Sequence, residues 1–159
     1  MGLVGWRSVA GFQTRVFRYA NVYGPWQDGT GEAGVVAIFS AAMLGSRPLK
    51  INGDGEQTRD YVYVGDLVEA AARAATSDKS GVWNLGTGIE TSVNRLFAAL
   101  AAEYGYAATP PHVPAPAGEQ MRSVLDGSLV RRDFELPAWT SLQDGLKMTA
   151  DFFRSRQKA

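Results

Sequence analysis

The stretch Gly53–Asp66, GDGEQTRDYVYVGD, constrains this chain more tightly than any other. It opens on Gly53-Asp54-Gly55, a composition suited to a tight turn because glycine accepts positive φ. It then sets one arginine, Arg59, ahead of Asp60 and the alternating run Tyr61-Val62-Tyr63-Val64. Aromatic and β-branched side chains fit a pleated, half-buried surface, so this run predicts a short strand. Asp66 and Glu69 follow at capping-box spacing and predict an alanine-rich helix, capped by Asp66 and reaching about Thr76. An arginine between a glycine turn and a stiff strand can be pre-set as a planar, permanently charged fork for phosphate or carboxylate. Local pairing of Arg59 with a nearby acid is the competing reading.

Short strands and helices continue on both sides. Phe12–Tyr19 (FQTRVFRY) reads as a strand that leaves through the turn Asn21-Val22-Tyr23-Gly24-Pro25, after a helical period over Met1–Ala10 stopped by Gly11. Gln27–Gly34 is a glycine-rich loop, and Val35–Leu44 is apolar enough for a mostly buried helix ended by Gly45-Ser46-Arg47-Pro48. Leu49–Asn52 and Val82–Leu85 are further short strands. Gly86-Thr87-Gly88, after the second of these, mimics a dinucleotide fingerprint, but Thr91 stands where the third glycine belongs. It therefore reads as a tight connection capped by Thr91 or Ser92, not as a phosphate cradle.

Ser92–Tyr104 is an amphipathic helix with Val93, Leu96, Phe97 and Leu100 along one stripe. Pro110, Pro111, Pro114 and Pro116 stiffen the connection that follows. The only histidine, His112, lies there without a second ligand, so no metal or catalytic role is expected of it. Asp126 caps a short helix running to about Phe134. Ser141–Arg156 ends the chain as an amphipathic helix with Leu142, Leu146, Thr149 and Phe153 at helical spacing.

Composition narrows the function classes. A chain of 159 residues is one domain by prior. Sixteen basic and sixteen acidic residues leave no global field toward nucleic acid or an anionic membrane, so anion binding must come from local donors. The absence of cysteine excludes a disulfide scaffold, cysteine-ligated zinc and thiol catalysis. The first residues lack a basic, apolar signal pattern, and no apolar run reaches the roughly 18 residues of a spanning helix. A cytoplasmic protein is the expectation.

Three ordered motifs carry a resemblance: Arg18-Tyr19-Ala20-Asn21-Val22-Tyr23-Gly24-Pro25, GDGEQTRDYVYVGDLVEA from Gly53, and Trp83-Asn84-Leu85-Gly86-Thr87-Gly88. From about Gly11 onward the chain resembles the second half of the NAD-dependent epimerase/dehydratase family, extended short-chain dehydrogenases acting on sugar nucleotides. The resemblance implies an α/β fold: the C-terminal substrate-binding portion of such an enzyme, with Phe12–Tyr19 and Val82–Leu85 as two strands of an incomplete Rossmann-like sheet. Residues 1–159 would form one sugar-nucleotide-binding domain, with the N-terminal NAD-binding half absent.

The same resemblance assigns roles. Tyr19 and Ala20 would face the nicotinamide, and Asn21 would donate to the phosphate or sugar of a UDP-sugar. Gly34 and Val35 would lie over the sugar nucleotide, and Lys50 and Asn52 would flank the uracil largely through their backbone. Arg59 would grip the diphosphate. In Gly118-Glu119-Gln120-Met121-Arg122, Glu119 would accept a ribose hydroxyl, and Arg122 joins the substrate set. Two positions depart from the family pattern, for Trp26 and Pro116 stand where many relatives have arginine.

No Tyr-x-x-x-Lys pair and no Gly-x-x-Gly-x-x-Gly loop occurs. The implied chain uses NAD only in its full-length relatives, binds none by itself, contains no catalytic residue and turns over nothing alone. Unpaired strand edges favour a homodimer or a complementary NAD-binding chain. The expected reaction is that of a UDP-sugar 4-epimerase. A dehydratase or reductase branch, or a non-catalytic interaction module, are the alternatives.

Overall fold

The computed structural model describes residues 13–29 and 34–157. The helix expected over Met1–Ala10, its stop at Gly11 and the start of the first strand at Phe12 lie outside them. The architecture is α/β, with parallel strands in small sheets. Strand β1 (Arg15–Tyr19) pairs in parallel with β5 (Gly81–Leu85), from Arg15 against Gly81 to Tyr19 against Leu85. These are the two strands expected of the incomplete sheet. Among the described residues β1 has a strand neighbour on one side only. One face of the pair is covered by α2 (Val64–Ala75) and α4 (Ser128–Asp133), where Trp83, Leu85, Ala70, Ala74, Val130 and Phe134 form a buried cluster.

A second sheet is built around β4 (Thr58–Tyr63). Strand β2 (Asn21–Tyr23) runs parallel to it with Asn21 opposite Tyr61, and β6 (Glu90–Ser92) runs antiparallel. The short β8 (Arg122–Ser123) also pairs with β4, and β3 (Ile51–Asn52) pairs with β7 (His112–Val113). The proline-rich connection is thus partly a strand, with the His112 imidazole Nδ1 2.9 Å from the Gly53 carbonyl oxygen.

Three helices pack on the β2–β4 face. Helix α1 (Val35–Leu44) is apolar on nearly every side and accordingly buries Val36, Ala37, Phe39, Ser40, Ala42 and Met43. It ends at Gly45, whose N–H returns to Ala41 O, as the glycine-rich stop predicts. Helix α3 (Val93–Tyr104) buries Leu96 and Leu100 of its predicted stripe. Ser92 caps it by accepting from the Arg95 N–H, and Gly105 closes it in the left-handed region at φ +64°. Helix α5 (Leu142–Gln157) buries Leu146 and Thr149 against the same core. Gly145 is the point of closest approach: a methyl there would overlap the Tyr23 hydroxyl.

Two caps differ from expectation. Helix α2 starts at Val64 with Tyr63 as its N-cap, so Asp66 falls in the first turn. Its carboxylate accepts from Thr140 N–H at 2.9 Å and Thr140 Oγ1 at 2.8 Å, tying the chain ahead of α5 to α2. The partner 74 residues away outcompetes the local cap. Asp126 accepts from the Ser128 N–H at 2.8 Å, while Gly127 holds the cap position of α4.

Candidate functional site

Between the β2–β4 face and α1 lies a cleft of about 960 Å³. Alternation along β4 puts Arg59, Tyr61 and Tyr63 on one side and Asp60 and Val62 on the other. Arg59 and Tyr61 of the first side line the cleft, and Asn21 stands beside Tyr61 on β2. The strands therefore supply the polar wall, while α1 supplies an apolar one through Val35, Val36 and Phe39. Lys50, Asn52 and Gln57 bring the β3 turn to the cleft, and Gln27 and Gly34 bring the loop ahead of α1.

Arg59 is largely buried and fully engaged on one side. Its Nη1 donates to Thr58 O at 2.9 Å and Gln120 O at 2.5 Å, and its Nη2 forms an ion pair with Glu119 Oε1 at 2.8 Å. Sequence reasoning sent these two side chains to different parts of a ligand, whereas the structure joins them to each other. The carboxylate is brought there because β8 pairs with β4 immediately after the Glu119 turn. A guanidinium has five donors, so Nε–H and one Nη2–H carry no bond to the described residues, and Arg59 lines the cleft.

Four polar atoms of cleft residues are buried with no hydrogen-bond partner: Asn21 Nδ2, the Tyr23 hydroxyl, which lies against Gly145, Gln27 Oε1 and the Tyr61 hydroxyl. An unsatisfied buried polar group costs roughly 1–3 kcal/mol, so four along one cavity demand an explanation. Burial pushes the Tyr61 phenol up to about 12, against the pull of the Arg59 charge, so it is a neutral hydroxyl at physiological pH. Tyr61 and Gln27 were not singled out in the sequence. A tyrosine inside an alternating aromatic strand has the appearance of core, and a glutamine in a glycine-rich loop has the appearance of solvent-facing polarity.

Ala20, Asn21, Gly34, Val35, Lys50, Asn52, Arg59 and Glu119 all line the cleft. Tyr19 and Arg122 do not. Tyr19 is 55% exposed at the end of β1, with Ala20 N–H bonded to Leu85 O at 2.9 Å. Arg122 is engaged outside the cleft lining: its Nε donates to Glu90 Oε2 at 2.8 Å and its Nη2 pairs with Glu90 Oε1. The antiparallel pairing of β6 with β4 puts Glu90 within its reach. Trp26 also turns away, stacking on Phe152 of α5 at 5.2 Å beneath the Arg156 guanidinium at 4.6 Å.

The Gly86-Thr87-Gly88 turn encloses an internal anion. Asp60, only 1% exposed, accepts from Thr87 N–H at 3.0 Å, Thr87 Oγ1 at 2.5 Å, Gly88 N–H at 3.1 Å and Leu125 N–H at 3.2 Å. A methyl at Gly86 would stand 2.5 Å from that carboxylate, so glycine is required for the close approach. The amides a dinucleotide phosphate would need are already committed to Asp60. This turn therefore does not fit a dinucleotide cradle. The described residues contain no group of His, Asp and Glu able to hold a metal ion. Among them, no helix is long and apolar enough to cross a membrane.

Comparison with known proteins places this geometry. Residues 3–86 match the NAD dependent epimerase/dehydratase family. The chain is 45% identical over 140 residues to the UDP-glucose 4-epimerase of Mycolicibacterium smegmatis, covering 87% of this chain and 45% of that protein. Its fold superposes with a TM-score of 0.93 on the crystal structure of a Thermotoga maritima UDP-glucose 4-epimerase with UDP-glucose, at 42% identity, covering 98% of this chain and 50% of the other. With the Thermus thermophilus UDP-glucose 4-epimerase complexed with NAD the TM-score is 0.85 at 36% identity, covering 96% and 50%. The chain thus spans about half the length of the relatives it matches. A parallel-stranded α/β fold, the three ordered motifs and these likenesses agree, and the chain belongs to the NAD-dependent epimerase/dehydratase family.

Proposed function

We propose that the cleft binds a UDP-sugar, and that the chain is the sugar-nucleotide-holding portion of a UDP-glucose 4-epimerase-like protein. One observation carries this reading: a single cavity gathers Asn21, Arg59, Glu119 and the Lys50–Asn52 turn, with a cationic fork at one place and orphaned neutral hydrogen-bonding groups beside it. In this reading Arg59 offers its open donors to the diphosphate. Glu119 exchanges part of its ion pair for a ribose hydroxyl, and Asn21 donates its unpartnered amide to phosphate or sugar. Gly34 and Val35 cover the ligand, and Lys50 and Asn52 border the base.

Hydride removal and return require a nicotinamide, a tyrosine base and its lysine. The printed sequence has no Tyr-x-x-x-Lys pair, so a further segment, of the same polypeptide or of another chain, supplies them. Ala20 in the cleft, and Tyr19 exposed beside it at the end of β1, are where a nicotinamide held by that segment abuts the sugar. The contribution of the present chain is then positioning, which is worth much of a barrier but performs no chemistry alone. Residues 1–159 act as one binding domain of a cytoplasmic enzyme.

Isothermal titration of the 159-residue chain with millimolar UDP-glucose tests this. Saturable heat without epimerisation is the expected result, and a flat isotherm contradicts it.

The side of β1 left without a strand neighbour among the described residues favours a second reading, in which the chain is an interaction module. An edge strand left with one neighbour invites a homodimer or a complementary NAD-binding chain. Light scattering that gives a monomer at high concentration removes this reading and leaves the first untouched.

A further inference from the structure

We propose that Arg122 is a positioning residue: held by Glu90 on one face of the sheet, it sets the segment that presents Glu119 and the Gln120 carbonyl to Arg59 on the other. Its consequence for a ligand rests on the cleft binding a sugar nucleotide, whereas the positioning itself does not.

The ladder fixes which side chains share a face. Thr58 of β4 lies opposite Arg122 of β8 and Ser92 of β6, and Asp60 lies opposite Glu90. Residues directly opposite one another project to the same side, so Thr58, Glu90 and Arg122 meet on the face away from Arg59. There Glu90 Oε2 accepts from Thr58 Oγ1 at 2.7 Å and from Arg122 Nε at 2.8 Å, and Glu90 Oε1 pairs with Arg122 Nη2. One carboxylate thus joins β6, β4 and β8. Just ahead of Arg122, Glu119 Oε1 pairs with Arg59 Nη2 at 2.8 Å, and the Gln120 carbonyl accepts from Arg59 Nη1 at 2.5 Å. The same short segment is therefore tied to the sheet from both faces.

Apolar packing does not hold this segment. Residues 114–118 and 120–122 are exposed, and β8 is two residues long. Beyond β8 the chain is fixed by the Leu125 N–H, which donates to Asp60 at 3.2 Å. Ahead of it, the Thr58 N–H donates to Met121 O at 2.9 Å, while the Glu119 N–H turns back to Pro116 O at 3.2 Å. An exposed ion pair adds little to global stability. Arg122, its side chain 73% exposed, is accordingly suited to ordering a segment rather than to holding the fold.

The test compares the 159-residue chain with its Arg122→Met and Glu90→Gln variants, and with Arg122→Lys as the conservative replacement. Without ligand, nitrogen-15 relaxation should give the Glu119 and Gln120 amides order parameters of about 0.85 in the parent and below about 0.6 in the first two variants, with Arg122→Lys between them. The Thr87 and Leu125 amides, bonded to Asp60, should stay rigid, and the thermal midpoint should move by less than about 4 °C. With ligand, affinity for UDP relative to inorganic diphosphate should fall about three- to fivefold, because UDP alone brings a ribose to Glu119. Unchanged order parameters at Glu119 and Gln120, or a segment already flexible in the parent, would overturn the inference. Loosening that spreads to Thr87 and Leu125 would overturn it too, as would an unchanged affinity ratio in a chain that binds UDP. Failure of the parent to bind UDP would instead remove the sugar-nucleotide reading, and the ligand-free comparison would still decide the role of Arg122.

Discussion

The two faces of β4 are one residue apart in sequence and opposite in character. On one, Asp60 is buried with four hydrogen bonds, every one of them from within the chain. On the other, Arg59 keeps open donors, and Tyr61 has a buried hydroxyl with no partner. A buried charge is retained only when its surroundings satisfy it, so the Asp60 face is structure. A buried polar group that the chain leaves unanswered is destabilising unless something from outside answers it. The strand thus separates what the fold needs from what a ligand uses.

The largest expected effect lies on the structural face. Asp60→Ala strands the amides of Thr87, Gly88 and Leu125 and should cost about 3 kcal/mol or more of stability in urea unfolding. A loss within about 0.5 kcal/mol would erase the distinction between the faces. Arg59→Met should do the reverse. We expect UDP affinity to fall about ten- to hundredfold by titration calorimetry, since hydrogen bonds to a charged group are at stake, with a smaller loss of stability than Asp60→Ala, because the partners left behind are partly exposed.

Glu119→Gln sharpens the comparison further. It removes the acid that competes for Nη2, so inorganic diphosphate, which has no ribose to lose, should bind about two- to fivefold more tightly.

The smallest effect is on acid stability at the edge of the structural face. The Arg122 guanidinium, and next the Thr58 hydroxyl, hold the Glu90 carboxyl down at about 2. A carboxyl with a folded value below its unfolded one stabilises above the unfolded value, and the benefit disappears as pH falls through the folded one. Between the model-peptide carboxylate range of about 4.3 and this lower value, stability should decline less steeply in Glu90→Gln than in the parent, as followed by circular dichroism.

Much of this was legible in the residues. Val35–Leu44 is a helix over its full predicted span because an all-round apolar run has nowhere to go but the core. The strands around Val62 and Trp83, and the Leu96/Leu100 stripe, follow from periodicity in the same way. Contacts across long sequence separations were not legible. The Arg59–Glu119 pair spans 60 residues, and the Asp66–Thr140 bond spans 74. Spacing favoured a local cap for Asp66 and left Arg59 between a ligand and a nearby acid. Gln27 and Tyr61 were invisible for another reason, since an orphaned atom is defined by what fails to surround it, and a sequence holds no such information.

The Arg59 Nε–H resonance in a nitrogen-15 correlation spectrum, followed as UDP is added, is the most direct measurement of the central claim. A cleft that offers this open donor to a diphosphate predicts a saturable downfield shift that vanishes in Arg59→Met. A resonance that stays in place to millimolar UDP would mean that Glu119 and the backbone hold the guanidinium for the fold alone.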